Sequence, residues 1–541
     1  MPERKNPLNR ALIWVYRPII DTVLPHPKAT IALALAVLVV SIYPITRLGS
    51  EFMPTLNEGT LMYMPINLPS MSITKAAGLI QLQDKIIKSF PEVDTVFGKA
   101  GRADTATDPA PIEMFETIIN LKSESDWPEG MTVDKLVSEM NAALRFPGVS
   151  NGWTMPIKGR TDMLSTGIRT PVGIKVFGNN LSELEELSKQ IESVVRKVPG
   201  TTSAFAERVL GGYYLDIEPD RASLARYGLT IDDIQSVVRT ALGGEKVTET
   251  VEGRERYSVN VRYPRDFRDD PQAIASQVLV NAASGAQIPL GQVASIRIAQ
   301  GPPSIRTENA QLVDYIYVDM QGRDLGGYVD AARKAVQNQV KLPPGYHIEW
   351  SGQFEYLERA TARLQTVIPV TLIVIFILLY LNFRRFTETL IVMLSVPFAL
   401  TGGFWLIYWM GFNMSVAVAV GFIALAGVAA ETGVVMLIYL DHALNAIMER
   451  RRLEGTRLDA ADVYHAIIEG AVERVRPKMM TVMAIIAGLL PILFGTGTGS
   501  EVMRRIAVPL VGGMITSTLL TLIVIPAIYM LVKQRRLTAD G

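Results

Sequence analysis

The sequence predicts a membrane-embedded α-helical domain of six spans joined to one large exterior α+β region. Three features point there. Six long apolar runs carry at most one charge each. Basic residues gather in only some of the segments between them. The stretch between the first and second runs alternates strand and helix periodicities. Composition agrees: 49% of the 541 residues are hydrophobic, and the mean hydropathy of +0.23 is high for a soluble chain. Length alone would suggest three or four soluble domains of about 150 residues.

The six runs are 29–46, 364–382, 389–410, 412–440, 479–500 and 506–532. About 18 uncharged apolar residues suffice to cross a bilayer core. Only the fourth run holds a charge, Glu431. The first run follows an amphipathic lead (Leu12, Val15, Tyr16, Ile19, Ile20) with no small-residue cleavage site, so it reads as a span and not a signal peptide. Lys and Arg crowd the lead, the Arg384–Arg385 link, the 441–478 segment (Arg450, Arg451, Arg452, Arg474, Arg476, Lys478) and the tail (Lys533, Arg535, Arg536). These four places fall on one side, the cytoplasm, which puts both termini inside and residues 47–363 outside. Arg504 and Arg505, in an outer loop, oppose the bias.

Outside, strands are expected at 60–68, 93–99 and 113–122, with helices at 73–89 and 132–144. A second unit follows, with strands 172–177 and 201–206 around a helix 181–198. A strand at 213–218 leads into short helices at 221–227 and 231–241. Strand 312–320, helix 326–339 and strand 346–351 close the region. This order is that of ferredoxin-like split βαβ subdomains. Residues 242–303 differ, with short strands, many turns and no expected helix: a β-rich insertion in the second unit.

Several function classes drop out. The 53 basic and 53 acidic residues balance, which argues against a nucleic-acid partner. With no cysteine, disulfides, thiolate metal sites and Cys nucleophiles are excluded. The four histidines, at 26, 347, 442 and 465, are too scattered for an imidazole cage, and Asp441-His442 reads as a helix-end cap. No phosphate-binding Gly-x-x-x-x-Gly-Lys-Ser/Thr loop, His-Glu-x-x-His or catalytic triad occurs, so neither ATP hydrolysis nor other enzyme chemistry is expected.

Methionine is then the only soft ligand available. Nine of the 22 methionines lie in residues 51–171: Met53, Met62, Met64, Met71, Met114, Met131, Met140, Met155 and Met163. A thioether suits Cu(I) and does little for Zn²⁺, Mg²⁺ or Ca²⁺. It needs no deprotonation, so its affinity survives in an acidic compartment where thiolate and imidazole ligation weakens. Methionine is also a common core filler, and taken singly each of the nine reads first as packing. Glu431 is different, because an ionisable group near mid-membrane costs roughly 2.5–3.5 kcal/mol on insertion scales and is functional by default.

Long strings in the chain resemble the heavy-metal efflux pumps of the resistance–nodulation–division (RND) superfamily, and among them the copper/silver exporters. They include Gly421-Phe-Ile-Ala-Leu-Ala-Gly-Val-Ala-Ala-Glu431-Thr-Gly-Val-Val, Val475-Arg-Pro-Lys478-Met-Met-Thr and Gly499-Ser-Glu-Val-Met503. Outside the spans, Glu51-Phe-Met-Pro, Asn57-Glu-Gly-Thr, Asp162-Met163-Leu-Ser-Thr-Gly and Ser351-Gly-Gln-Phe-Glu match as well. The resemblance is to the C-terminal half of such pumps, which carry two tandem repeats.

The resemblance implies a division into a cytoplasmic lead (1–28), a span (29–48), a periplasmic porter-like subdomain (49–168) and a second one (169–215 and 304–362). A docking-like insertion (216–303) and a five-span domain (363–536) with a cytoplasmic loop (441–477) complete it. It implies a proton antiporter of the bacterial inner membrane with no cofactor, exporting Cu(I) or Ag(I) as a homotrimer with a periplasmic adaptor and an outer-membrane channel. An N-terminal half is implied as a further partner. A pump for divalent Zn²⁺, Co²⁺ or Cd²⁺, or a half-pump that assembles without transporting, remain alternatives.

By the same resemblance the metal ligands are Met64, Met114 and Met163, with Glu116 beside them. Period-2 spacing puts Met114 and Glu116 on one strand face. The remaining six methionines, Met53, Met62, Met71, Met131, Met140 and Met155, read as core or surface, with Met155 the one the approach to that site could use. Met503 and Met479 are candidates for a metal relay, whereas Lys246 stands where the family places a relay methionine and would repel a cation. Glu431 and Lys478 match the proton-relay pair, and Thr481 and Thr516 could add hydroxyls. Lys478 also reads as an interfacial residue beside Arg474 and Arg476.

Overall fold

The computed structural model describes residues 7–54, 56–67, 69–102, 110–322, 324–456, 458–495, 497 and 499–539. Six helices are long and apolar enough to cross a membrane: Pro27–Arg47, Gln353–Phe383, Phe386–Trp409, Val416–Leu453, Ala460–Phe494 and Ser500–Arg535. The amphipathic lead is the helix Pro7–Val23. Its apolar stripe buries Tyr16 and Ile20, with Leu24 just beyond, in the core of the helical domain, and the Tyr16 hydroxyl donates to the Leu522 carbonyl at 2.7 Å. Inside the last span the backbone loosens to a π-turn at Leu520–Val524.

The expected 441–477 loop is mostly helix. Val416–Leu453 and Ala460–Phe494 run far past the apolar stretches, leaving a short turn between them. Asp459 and Asp462 form a capping box at the second helix, and Arg451 closes on Asp462 at 2.8 Å. His442 is therefore an exposed residue inside a long helix and not a cap, and Lys478 lies deep within one and not at its start. Arg504 and Arg505 are held locally. Arg504 donates to the Gly495 carbonyl at 2.5 Å, while Arg505 pairs with Glu51 at 2.8 Å and lies over the Phe412 ring.

Outside the helices, β1 (Thr60–Tyr63), β2 (Val93–Ala100), β3 (Phe115–Leu121) and β4 (Trp153–Thr154) form an antiparallel sheet in the order β2-β3-β1-β4. Two helices, Ile73–Lys88 and Val133–Ala143, complete this split βαβ unit. Leu61, Tyr63 and Ile119 pack with Leu136 and Met140 in its core. Each such fully buried apolar side chain contributes about 1.5–3 kcal/mol. In the second sheet, β5 (Val172–Gly178) lies between the strands Gln311–Met320 and His347–Gly352, and β6 (Thr201–Ala206) pairs with the 311–320 strand. Helices Leu181–Val195 and Leu325–Gln339 supply its core.

The insertion's main ladder begins earlier than the sequence suggests, because Gly212–Pro219 pairs along its whole length with Ala294–Gly301. It also holds a helix the sequence did not suggest, Pro271–Gln277, capped by Asp270 with Pro271 at its first position. Seven residues are too few to show helical periodicity.

Candidate metal and proton sites

Strand alternation decides which methionines can meet a metal. In β1, Leu61 and Tyr63 point into the helix-packed core, so Met62 and Met64 lie on the opposite sheet face. In β3, Phe115, Thr117 and Ile119 are buried, so Glu116 and Ile118 share that outer face. The antiparallel register sets Met62 opposite Ile118 and Ile66 opposite Met114. Met64, between them, falls in line with Glu116, and its backbone N–H donates to the Gly152 carbonyl at 2.8 Å.

This face forms a wall of a cleft of about 700 Å³ toward the second sheet. Met62, Met114, Glu116 and Met163 all line it. Met64 does not. It is 1% exposed and sits behind the cleft, lining a cavity of about 10 Å³ with Arg169, Tyr317 and Asp319. Of the sequence-nominated ligands, Met114, Glu116 and Met163 are thus brought together on the open cleft and Met64 lies in the layer beneath. Glu116 is already partnered, as its carboxylate is 3.1 Å from the Lys99 ammonium, its cross-strand neighbour.

Met163 reaches the cleft on a helix, Pro156–Thr166, which sequence periodicity missed. Its start is held by Glu58, whose carboxylate accepts from the backbone N–H groups of Ile157 and Lys158, both at 2.9 Å. That gives the Asn57-Glu-Gly-Thr string a structural role: an anion at a helix N-terminus. Gly167 ends the helix at φ +76°, where a side chain would strain the turn. Asp162 is tied to Lys158 at 2.7 Å and to Gln353 at 3.5 Å, linking the helix to the Ser351-Gly-Gln-Phe-Glu string.

The second sheet lines the cleft with charge. Arg306 grips Glu207 through two hydrogen bonds of 2.9 and 3.0 Å, and the Tyr317 hydroxyl donates to Glu207 at 2.8 Å. Arg169 lies over the Tyr317 ring, 4.7 Å from its centroid. Burial pushes the Asp319 carboxyl up to about 7, against the opposing pull of the Ser203 hydroxyl, Arg169 and Lys158. Among the described residues no group of three or more His, Asp or Glu side chains is placed to hold a metal.

The other methionines separate clearly. Met140 and Met155 are buried in the first core and Met131 packs against it. Met479 packs against the core of the helical domain, and Met503 is 47% exposed. Lys246 is exposed on the hairpin strand Glu245–Glu252 and pairs with Glu249.

In the helical domain, Lys478 is completely buried and its ammonium donates to the Ser517 hydroxyl at 3.5 Å. Glu431 is exposed on the surface of the bundle, and among the described residues no hydrogen bond or ion pair joins it to Lys478. Thr516 is engaged, donating to the Ala399 carbonyl at 2.7 Å and accepting from Gly402 N–H at 3.3 Å. Thr481 donates to the Pro477 carbonyl of its own helix at 2.9 Å.

Comparison with known proteins concerns the chain as a whole. The family model described as AcrB/AcrD/AcrF matches residues 3–533. The putative cation efflux system protein SilA of Salmonella typhimurium is 52% identical over 534 residues, covering 99% of this chain and 51% of SilA. The cation efflux system protein CusA of Escherichia coli (strain K12) is 51% identical over 538 residues, covering 99% and 51%. A crystal structure of a heavy metal efflux pump superposes with a TM-score of 0.86 at 31% identity, covering 97% of this chain and 52% of that one. The chain spans about half the length of these relatives.

Proposed function

Since the chain belongs to the AcrB/AcrD/AcrF family, we propose that it is one half of a proton-driven exporter of monovalent copper or silver. Its six apolar helices and its family make it a multi-pass protein of the inner membrane with a large periplasmic region. The observation that carries the substrate reading is the gathering of Met62, Met114 and Met163 with Glu116 on one cleft. Neutral sulfur donors suit a soft monovalent ion.

The cleft lies between two porter-like subdomains, 49–168 and 169–215 with 304–362, and the 216–303 insertion meets an outer-membrane channel. Glu431 and Lys478 carry protons through the helical domain. Transport requires a second repeat like that of the longer relatives, in the same polypeptide or another, along with a periplasmic adaptor and two further copies in a homotrimer. Proton and metal sites are coupled reciprocally, each biasing the state the other prefers. The protein is a secondary transporter and catalyses no chemical conversion.

The test is a metal titration of the purified full chain in detergent. Ag(I) is expected to bind and Zn(II) to bind far more weakly, and Met64→Ile with Met114→Ile and Met163→Ile should remove most Ag(I) affinity. Unchanged Ag(I) binding by that triple variant would overturn the site.

A further inference from the structure

We propose that Met62 is a fourth thioether of the metal site, standing between the open cleft and the buried Met64. This rests on the soft-metal reading of that cleft. Strand geometry supplies the first argument. Met62 and Met64 share the cleft-facing side of β1, two residues apart, but only Met62 lines the open cleft together with Met114 and Met163. The second is where the Met62 side chain ends. Its methyl carbon lies 2.8 Å from the point a Cβ on Gly159 would occupy, so this helix position accommodates the thioether only because it lacks a side chain.

Gly159 is four residues before Met163, one turn away on the same helix face. The Met62 thioether therefore ends against the helical surface that also presents Met163. Behind it, on the same strand, Met64 lines the inner cavity with Arg169 and Asp319. The two strand methionines form a step from cleft to cavity: an ion taken by Met62, Met114 and Met163 needs to move by about two residues along β1, roughly 6–7 Å, to reach Met64. Sulfur suits such a transfer, since thioethers are flexible neutral ligands.

The experiment is Ag(I) binding by the purified full chain, read both as affinity and as the number of Ag–S bonds by X-ray absorption. Met62→Leu keeps the side-chain volume, and Gly159→Ala pushes the thioether away without removing it. Either variant is expected to lower affinity about tenfold, and Met62→Leu to remove one sulfur from the silver shell. If both leave affinity and sulfur count unchanged while Met114→Leu with Met163→Leu lowers them, Met62 is not a ligand and the cleft site stands. If that double variant changes nothing either, the cleft reading falls and takes Met62 with it.

Discussion

Lys99 and Glu116 face each other in register across β2 and β3, with the ammonium nitrogen 3.1 Å from the carboxylate. The Glu116 carboxylate, two residues past Met114, thus already has a cation. On the proposed reading of the cleft, an arriving Cu(I) or Ag(I) would have to compete with Lys99 for it. Half-exposed ion pairs are worth about 0–1 kcal/mol, so the competition is mild and reversible. Lys99→Gln is expected to strengthen Ag(I) binding by up to about fivefold, the change corresponding to that energy. Glu116→Gln should weaken binding by a similar factor. Silver titration of both variants checks the pair, and wild-type affinity in both Lys99→Gln and Glu116→Gln would show that Glu116 does not touch the ion.

Asp314 predicts a pH dependence. It is wholly buried in the 311–320 strand, where Oδ1 accepts from Tyr315 N–H at 2.8 Å. Burial pushes its carboxyl up to about 8, with Glu207 and Glu185 adding to the rise and Ser188 opposing it. The sign follows from proton binding. Between about pH 4 and pH 8 the folded strand holds a proton that the unfolded chain has lost, so stability falls as pH rises through that window. The effect is at most roughly 5 kcal/mol. Amide exchange in residues 311–320 should quicken from pH 5 to pH 8 beyond its intrinsic pH dependence, and Asp314→Asn should flatten that excess.

Much of the exterior architecture was legible because alternation and helical periodicity are local. The strands at 93–100, 172–178 and 201–206 and the helices at 73–88 and 325–339 all announce themselves through their apolar spacing. The helix carrying Met163 does not. Pro156–Thr166 has little apolar periodicity, and Glu58, about 100 residues earlier, caps it. Nor could spacing rank Met62 above Met64, since two residues on one strand face differ only in what the second sheet places over them. Lys478 was misplaced for a related reason. Arg474 and Arg476 resemble a loop edge, yet the helix continues past them to Phe494 and buries the lysine.

Gly402 and Gly512 meet where two spans, Phe386–Trp409 and Ser500–Arg535, cross closely. A Cβ on Gly402 would stand 2.2 Å from the Gly512 carbonyl oxygen, and one on Gly512 would stand 2.3 Å from that of Gly402. Small residues permit such backbone approach in membranes. Gly402→Ala should force the helices apart and cost about 1–3 kcal/mol, the usual scale of overpacking. Gly427, whose added methyl would meet nothing within 4 Å, serves as the control. Thermal unfolding in detergent should show a clear drop for Gly402→Ala and none for Gly427→Ala. Equal midpoints would mean that the crossing relaxes freely.

Lys478 separates a structural role from a coupling role through the sign of its stability effect. A lysine with no exposed surface, whose one hydrogen bond among the described residues is to a hydroxyl at 3.5 Å, is a poor stabiliser of the bundle. Replacing buried charge by an apolar side chain of similar size is often neutral or stabilising by about 1–4 kcal/mol. Lys478→Met should therefore leave the thermal midpoint in detergent unchanged or higher. If the lysine passes protons, the same variant should abolish proton-linked Ag(I) efflux by the assembled pump. Glu431 is exposed on the bundle, so Glu431→Gln should likewise leave stability alone and stop efflux. Lys478→Met that unfolds early would make the residue structural. Normal efflux by either variant would remove that residue from the proton path.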